Sequence, residues 1–296
     1  MDDRPRLGFI GTGKVGSTLA RLWYASGVQI AAVYNRSTAS AAQLGAAVDA
    51  KVVDSGEAVA AAADLIFVTV PDDAVRVVAE RLARSEHLGR KGVVHTSGSL
   101  DASVLEQLAE RGAMVGSLHP AFAFAGEAAS RANLAGAVMA VEAEDVRLRG
   151  WLVDLVHDLG CVEMNIGPGQ KALYHAALVF TSNYTVTLYS IGQRILSSLG
   201  TDRTTADRAL GRLLDGTIRN IEERGLPDAL TGPLARGDVG TVMTHLRVLE
   251  RFDPALNDLY RQLALHTLPL VESRGQSIET LQNVLTQGGH DANHGA

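Results

Sequence analysis

Only one cysteine, Cys161, occurs in the 296 residues. A single thiol excludes an intramolecular disulfide and any multi-cysteine metal site, and it fits a reducing compartment. Positive charge is also in deficit: 27 Lys and Arg against 33 Asp and Glu give a formal net charge of −6. A nucleic-acid binder needs a basic face, so this balance argues against one, while a local basic pocket around a phosphate stays open. No stretch reaches the roughly 18 uninterrupted apolar residues that a membrane span needs. The segment from Met1 to Arg6 runs into an apolar strand with no basic segment, apolar run and small-residue cleavage site, so no secretion signal is expected. These absences lead to the expectation of a cytoplasmic protein that binds neither membrane nor nucleic acid.

What is present is ordinary globular composition, 46% hydrophobic and 20% charged, enough to bury one or two cores. Short apolar runs rich in Val and Ile recur at 7–10, 28–34, 52–53, 64–70, 92–95, 113–118, 137–141 and 161–166. Runs of this length read as strands buried on both faces. Between them lie segments of helical length and Ala/Leu/Arg content, such as 14–26 and 72–83. Alternation of this kind predicts an α/β fold, a Rossmann-type doubly wound parallel sheet. After Gly167-Pro168-Gly169 the strand-like runs stop. The segments 171–198, 205–224, 239–251 and 254–272 read as helices, punctuated by Gly200, Gly225-Leu226-Pro227, Gly232-Pro233 and Asp253-Pro254. The expected organisation is a nucleotide-binding domain over 1–166, an all-helical C-terminal domain over 167–288, and a disordered polar tail over 289–296.

The first apolar run leads into Gly11-Thr12-Gly13-Lys14-Val15-Gly16, a G-x-G-x-x-G pattern between a strand and a helix. In that context Gly11 permits a tight turn, Gly13 lets the backbone approach a pyrophosphate, and Gly16 lets the helix pack closely on the strand. The phosphates then face a helix N-terminus, where free amides and the positive dipole end favour an anion. Units that bind NAD usually place Asp or Glu at the end of the second strand to hold the ribose 2′-hydroxyl. Here that place holds Asn35-Arg36-Ser37. Arg36 can pair with a 2′-phosphate, and Asn35 and Ser37 can donate to it, so NADP(H) is the expected cofactor. Val70-Pro71 follows the clearest strand and should reach the same crevice. Asp72 and Asp73 read first as caps of the next helix and second as cofactor contacts.

Two further strand ends carry polar side chains, His95-Thr96-Ser97-Gly98-Ser99 and Ser117-Leu118-His119-Pro120. Ser97 and His119 are therefore candidates to line a substrate cleft. Ser97 lacks the G-x-S-x-G elbow of a hydrolase nucleophile. Along 171–198, Lys171, His175 and Ser182 share one helix face, with Asn183 at its edge, among apolar neighbours. Such a polar stripe needs partners, either other side chains or a substrate. With a substrate, Lys171 or His175 could protonate the product of hydride transfer or hold a carboxylate, and Ser182 and Asn183 would be substrate contacts.

The segments GFIGTGKVGSTLA, VYNRS, VPDDAV, HTSGSL, SLHPAFAF, KALYHAALVFTSNY and LTGPLARGD together resemble the Rossmann-like oxidoreductase family whose C-terminal half is a helical domain of unknown function. The resemblance covers nearly the whole chain. It implies an NADP-binding domain, a helical domain that forms a homodimer, and an active site between the two. The first 37 residues are similar to pyrroline-5-carboxylate reductases. The Lys171 helix is similar to that of ketopantoate reductases and β-hydroxyacid dehydrogenases, in which a Lys and an Asn one turn later hold the substrate; here His175 stands at the Asn position. His119-Pro120 is similar to a pair near the substrate pocket of prephenate dehydrogenases. The expected function is NADP(H)-dependent reduction of a carbonyl or imine of a small carboxylate-bearing metabolite. A non-catalytic NADP(H)-binding sensor is the alternative, and a hydrolase or transferase on the same fold is the third reading.

Overall fold

In a computed structural model, residues 4–124 and 134–287 are described; the expected tail over 289–296 lies outside them. Eight strands form one sheet: β1 (Leu7–Ile10), β2 (Ile30–Tyr34), β3 (Lys51–Val52), β4 (Leu65–Val68), β5 (Gly92–His95), β6 (Met114–Pro120), β7 (Val138–Ala143) and β8 (Val162–Asn165). Their order is β3-β2-β1-β4-β5-β6-β7-β8. The order reverses between β1 and β4, which opens the crevice where doubly wound sheets bind ligands. Helices α1 (Lys14–Ala25), α2 (Thr38–Ala47), α3 (Gly56–Ala62), α4 (Asp72–Leu82), α5 (Glu106–Ala109) and α6 (Val146–Asp158) accompany the strands.

The central strands β1, β4 and β5 are buried on both faces, to which successive residues point in turn. The edge strands β3 and β8 are exposed or only partly buried, contrary to the expectation for those two runs. Phe9, Leu65 and Phe67 join one core with Trp23, while Ile10, Ile66 and Val68 join the other with Val59, Val75 and Leu82. In the first core Phe9 and Phe67 stack at 5.3 Å, and Trp23 lies 4.8 Å from Phe67. The buried indole N–H is satisfied by the Leu155 carbonyl at 2.8 Å.

The sheet is parallel except at one pair. β6 and β7 run antiparallel, with Ser117 opposite Glu142 and His119 opposite Ala140. Apolar patterning cannot reveal this, since side chains alternate in the same way in either direction.

The helical part begins with α7 (Lys171–Thr181) and α8 (Asn183–Ser198). The sequence predicts one helix over 171–198; the structure breaks it at Ser182. The hydroxyls of Thr181 and Thr185 donate back to the carbonyls of Ala177 and Thr181, a competition that bends helices. Then follow α9 (Arg203–Arg224), α10 (Gly232–Ala235), α11 (Val239–Phe252), α12 (Pro254–Glu272) and α13 (Glu279–Thr286). Val242, Leu246, Ala264, Leu268, Leu281 and Leu285 make the core of the last three.

The chain forms two compact units, Met1–Thr187 and Leu188–Ala296. The change from strands to helices after residue 166 and the division between units thus fall at different places. Helix α7 is grouped with the sheet. Among the described residues no helix is long and apolar enough to cross a membrane.

Candidate active site

The loop between β1 and α1 takes its shape from the residue after β4. Thr69 donates its backbone N–H to the Ile10 carbonyl at 2.8 Å and its hydroxyl to the Gly11 carbonyl at 2.6 Å. Gly11 has φ +99°, and a Cβ there would lie 2.6 Å from the Thr69 carbonyl oxygen. A Cβ at Gly16 would collide with the Thr69 hydroxyl. Gly11 is therefore required by contact and by conformation, and Gly16 by contact alone. Gly13 is the N-cap of α1 and no side chain caps that helix. Its own Cβ position is open, with the nearest heavy atom 3.9 Å away.

These residues border a cavity of about 410 Å³. Gly11, Thr12, Gly13, Asn35, Arg36, Val70 and Pro71 all line it, as do Tyr34, Ser40 and Arg81. Thr12 Oγ1 is buried in the loop with no hydrogen-bond partner. An uncapped helix N-terminus, an open glycine, an orphaned hydroxyl and two arginines fit the phosphates of a dinucleotide. Four sequence-derived residues are placed differently, the first being Gly16, which packs against Thr69 and does not line the cavity. Lys14 and Val15 open α1 without lining the cavity. Ser37 caps α2, accepting from the Ser40 N–H at 3.3 Å, and Ser40 takes its place in the lining. Arg81, in the last turn of α4, carries no motif and was not legible in the sequence.

The carboxyl ends of β4, β5 and β6 hold a polar cluster. Asp72 does not cap α4; its Oδ2 accepts the hydroxyls of Ser97 and Ser99, each at 2.8 Å. His95 is fully buried. The Ser97 N–H donates to its Nδ1 at 3.2 Å, so the ring proton sits on Nε2 and is donated to the Asp101 carbonyl at 3.2 Å. His119, on β6, has Nδ1 2.9 Å from Tyr174 Oη. Its ring meets Tyr174 and His175 edge-on at 5.7 and 6.2 Å. Lys171 is fully buried at the start of α7, its Nζ 5.7 Å from the centre of the Tyr174 ring and without a hydrogen-bond partner. Glu142, buried on β7, accepts from the Ala102 N–H at 2.9 Å and the Ser117 hydroxyl at 3.2 Å.

The structure thus brings Ser97, His119, Lys171 and His175 into one cluster and adds Asp72, Tyr174 and Glu142. It does not bring Ser182 and Asn183 there. Both are exposed at the break after α7, and their side chains join none of its hydrogen bonds. Helical periodicity fixes a face and not a distance: eleven residues advance about 16 Å along the axis.

Burial dominates the electrostatics. It lowers the Lys171 ammonium to about 8, against the opposing pull of Glu142, Asp101 and Asp72. Burial and the neighbouring Lys171 lower both His95 and His119 to about 4, so both imidazoles are neutral near pH 7. Burial raises the Glu142 carboxyl and pushes the Tyr174 phenol up to about 12. A buried amine, a neutral imidazole and a phenol beside a dinucleotide cavity can orient a polar group and deliver a proton to it. Among the described residues no cluster of His, Cys, Asp or Glu is placed to hold a metal ion.

Comparison with known proteins bears on the two parts of the chain and on the fold. Residues 1–120 match the model of a Rossmann-like domain, and residues 137–267 match that of a domain of unknown function, DUF2520. No curated protein sequence matches the chain. A solved protein from Thermotoga maritima is 26% identical over 91% of this chain and 100% of its own, with TM-score 0.74. A candidate NADP oxidoreductase from Bacteroides fragilis is 26% identical over 90% of this chain and 98% of its own, with TM-score 0.68. Pyrroline carboxylate reductase from Plasmodium falciparum, solved with NADP bound, shares the fold at 15% identity over 93% of this chain and 99% of its own, with TM-score 0.59.

Proposed function

For a chain that joins a Rossmann-like domain to a DUF2520 domain, we propose an NADP(H)-dependent oxidoreductase that reduces a carbonyl or imine of a small metabolite. One observation carries the reading. In the unit Met1–Thr187, the buried side-chain polar atoms left without a partner among the described residues are Thr12 Oγ1, in the phosphate loop, and Lys171 Nζ, in the polar cluster. Unpaired buried polar groups cost stability, so their presence at these two places supports a reading in which ligands reach them. The neighbours from Bacteroides fragilis and Plasmodium falciparum, both named with NADP, support the same reading.

Gly11, Thr12, Gly13 and the first amides of α1 would hold the pyrophosphate, and Arg36 with Arg81 the 2′-phosphate. NADPH, when bound, supplies a hydride to the carbon of the substrate's double bond. Lys171, protonated below about pH 8, supplies the proton that the resulting alkoxide or amide anion takes up, and solvent restores it. His119 and His175 orient the substrate, and Ser97, tied to Asp72, lines its cleft. The polar cluster gives a substrate carboxylate one cation, Lys171.

The test is thermal stabilisation by NADPH against NADH, followed by a panel of 2-keto acids and cyclic imines read by NADPH oxidation. The expected result is a larger melting shift with NADPH and turnover of at least one compound. Equal shifts with a silent panel would overturn the proposal.

The reading extends to assembly. Helix α8 buries no side chain and α9 buries only Ala206, while Leu213, Ile218 and Ile221 of α9 are exposed. Apolar side chains exposed along a helix in this way favour pairing with a second copy. Sedimentation should give twice the 31.3 kDa of the chain; a monomer at micromolar concentration would exclude the pairing.

A further inference from the structure

We infer that Tyr174 fixes the tautomer of His119, and that this restricts the reducible group to one bearing an unshared electron pair: a ketone or aldehyde oxygen, or a neutral imine nitrogen, and not a protonated or alkylated iminium. The inference rests on the reductase reading above and names the substrate class of the same site.

Three observations support it. First, Tyr174 Oη lies 2.9 Å from His119 Nδ1. The phenol keeps its proton in this buried setting, and an imidazole nitrogen accepts more strongly than a phenol oxygen. The bond therefore runs from the Tyr174 O–H to Nδ1, and the single ring proton of neutral His119 sits on Nε2. Second, His119 has no reason to take a second proton. It is half-buried, and Lys171 and His175 both disfavour an imidazolium there. Third, Nε2 is the free end of the ring. It faces Gly98, where an added Cβ would lie 2.8 Å from it, and it has no hydrogen-bond partner among the described residues.

Nε2–H is thus a fixed donor at the place where β5 and β6 end. A carbonyl oxygen or imine nitrogen can accept from it. An iminium N–H would meet it donor to donor, and an N-alkyl iminium has no lone pair to offer. Asp72 pulls the other way, since its charge favours a cation beside His119, but burial, Lys171 and His175 outweigh it, and its Oδ2 is engaged by the hydroxyls of Ser97 and Ser99. Tyr174 is a positioning residue: it acts on the substrate only through His119.

Two measurements test the inference. The ¹⁵N spectrum of the imidazoles, taken near pH 7 on the whole chain without cofactor, should show His119 protonated at Nε2, with Nδ1 hydrogen-bonded. In Tyr174→Phe the Nδ1 resonance should move downfield to that of a free lone pair. A proton on Nδ1, or no movement in the variant, overturns the inference and leaves the reductase reading standing. In the second measurement the wild-type chain with NADPH is offered a 2-keto acid and N-methyl-1-pyrrolinium. The keto acid should be preferred at least a hundredfold in kcat/KM, and Tyr174→Phe should lower kcat about tenfold with NADPH binding unchanged. Preference for the pyrrolinium overturns the inference. A chain that oxidises NADPH with neither compound or any other fails as a reductase, and this too removes the substrate assignment, while the spectrum still decides the tautomer.

Discussion

Lys171→Met lowers turnover by about 10²- to 10⁴-fold, the range that a positioned proton donor contributes, while NADPH binds as before. The expectation follows from where the amine lies. Lys171 is fully buried at the first residue of α7, and its Nζ has no hydrogen-bond partner in the protein. Methionine has nearly the same length and shape without the charge. A buried cation with no hydrogen-bond partner is costly, so its removal should leave the melting temperature unchanged or raise it. That combination, lost turnover in a chain at least as stable as the original, is what a structural lysine would not give. The pH profile adds a second reading. Burial lowers the group to about 8, and the ammonium is the form that delivers a proton. Reduction should therefore run at full rate below that value and fall as pH rises through it, and the fall should be absent from the residual rate of the methionine variant. A variant within threefold of wild type would remove Lys171 from the chemistry.

Arg36→Ala raises the NADPH dissociation constant about 10- to 100-fold, because a charge-assisted hydrogen bond contributes about 1.5–3 kcal/mol and each 1.4 kcal/mol is tenfold. NADH binding should change less than threefold. Arg36 is exposed at the rim of the nucleotide cavity, and Arg81 lines the same cavity from α4. With both guanidinium groups proposed to hold one phosphate, Arg81→Ala should act in the same direction, and the double variant should bind the two cofactors about equally. Calorimetric titration of each variant with both nucleotides measures this. A loss of NADH affinity equal to the loss of NADPH affinity would place Arg36 on the adenine or the pyrophosphate instead.

Much of the first unit is legible in the sequence because its cues are local. The Val- and Ile-rich runs locate all eight strands, and Gly11, Gly13 and Gly16 mark a candidate phosphate loop by their spacing together with the strand before and the helix after them. What escaped depends on chain segments that meet only after folding. Arg81 reaches the cavity from the far end of a helix whose first turn lies beside Pro71, and nothing near residue 81 marks it. Tyr174 sits one turn from Lys171, yet its meaning comes from His119, brought to it by β6. Glu142 left a trace that could have been read: a lone carboxylate in the apolar strand Val138–Ala143 must have buried partners. The break at Ser182 leaves no mark in the apolar period, which reads as one helix over 171–198.

Thr69 carries a consequence for transplanting this loop. Its amide, hydroxyl and carbonyl together shape the turn at Gly11 and set how closely Gly16 can approach. The fingerprint residues are permissive; the template is the residue that follows another strand, far along the chain. A graft of residues 7–20 onto a foreign sheet would carry the glycines and lose the mould. A working chimera has to bring the end of β4 with it, so the inheritable unit of nucleotide binding here is a pair of strand ends and not a motif.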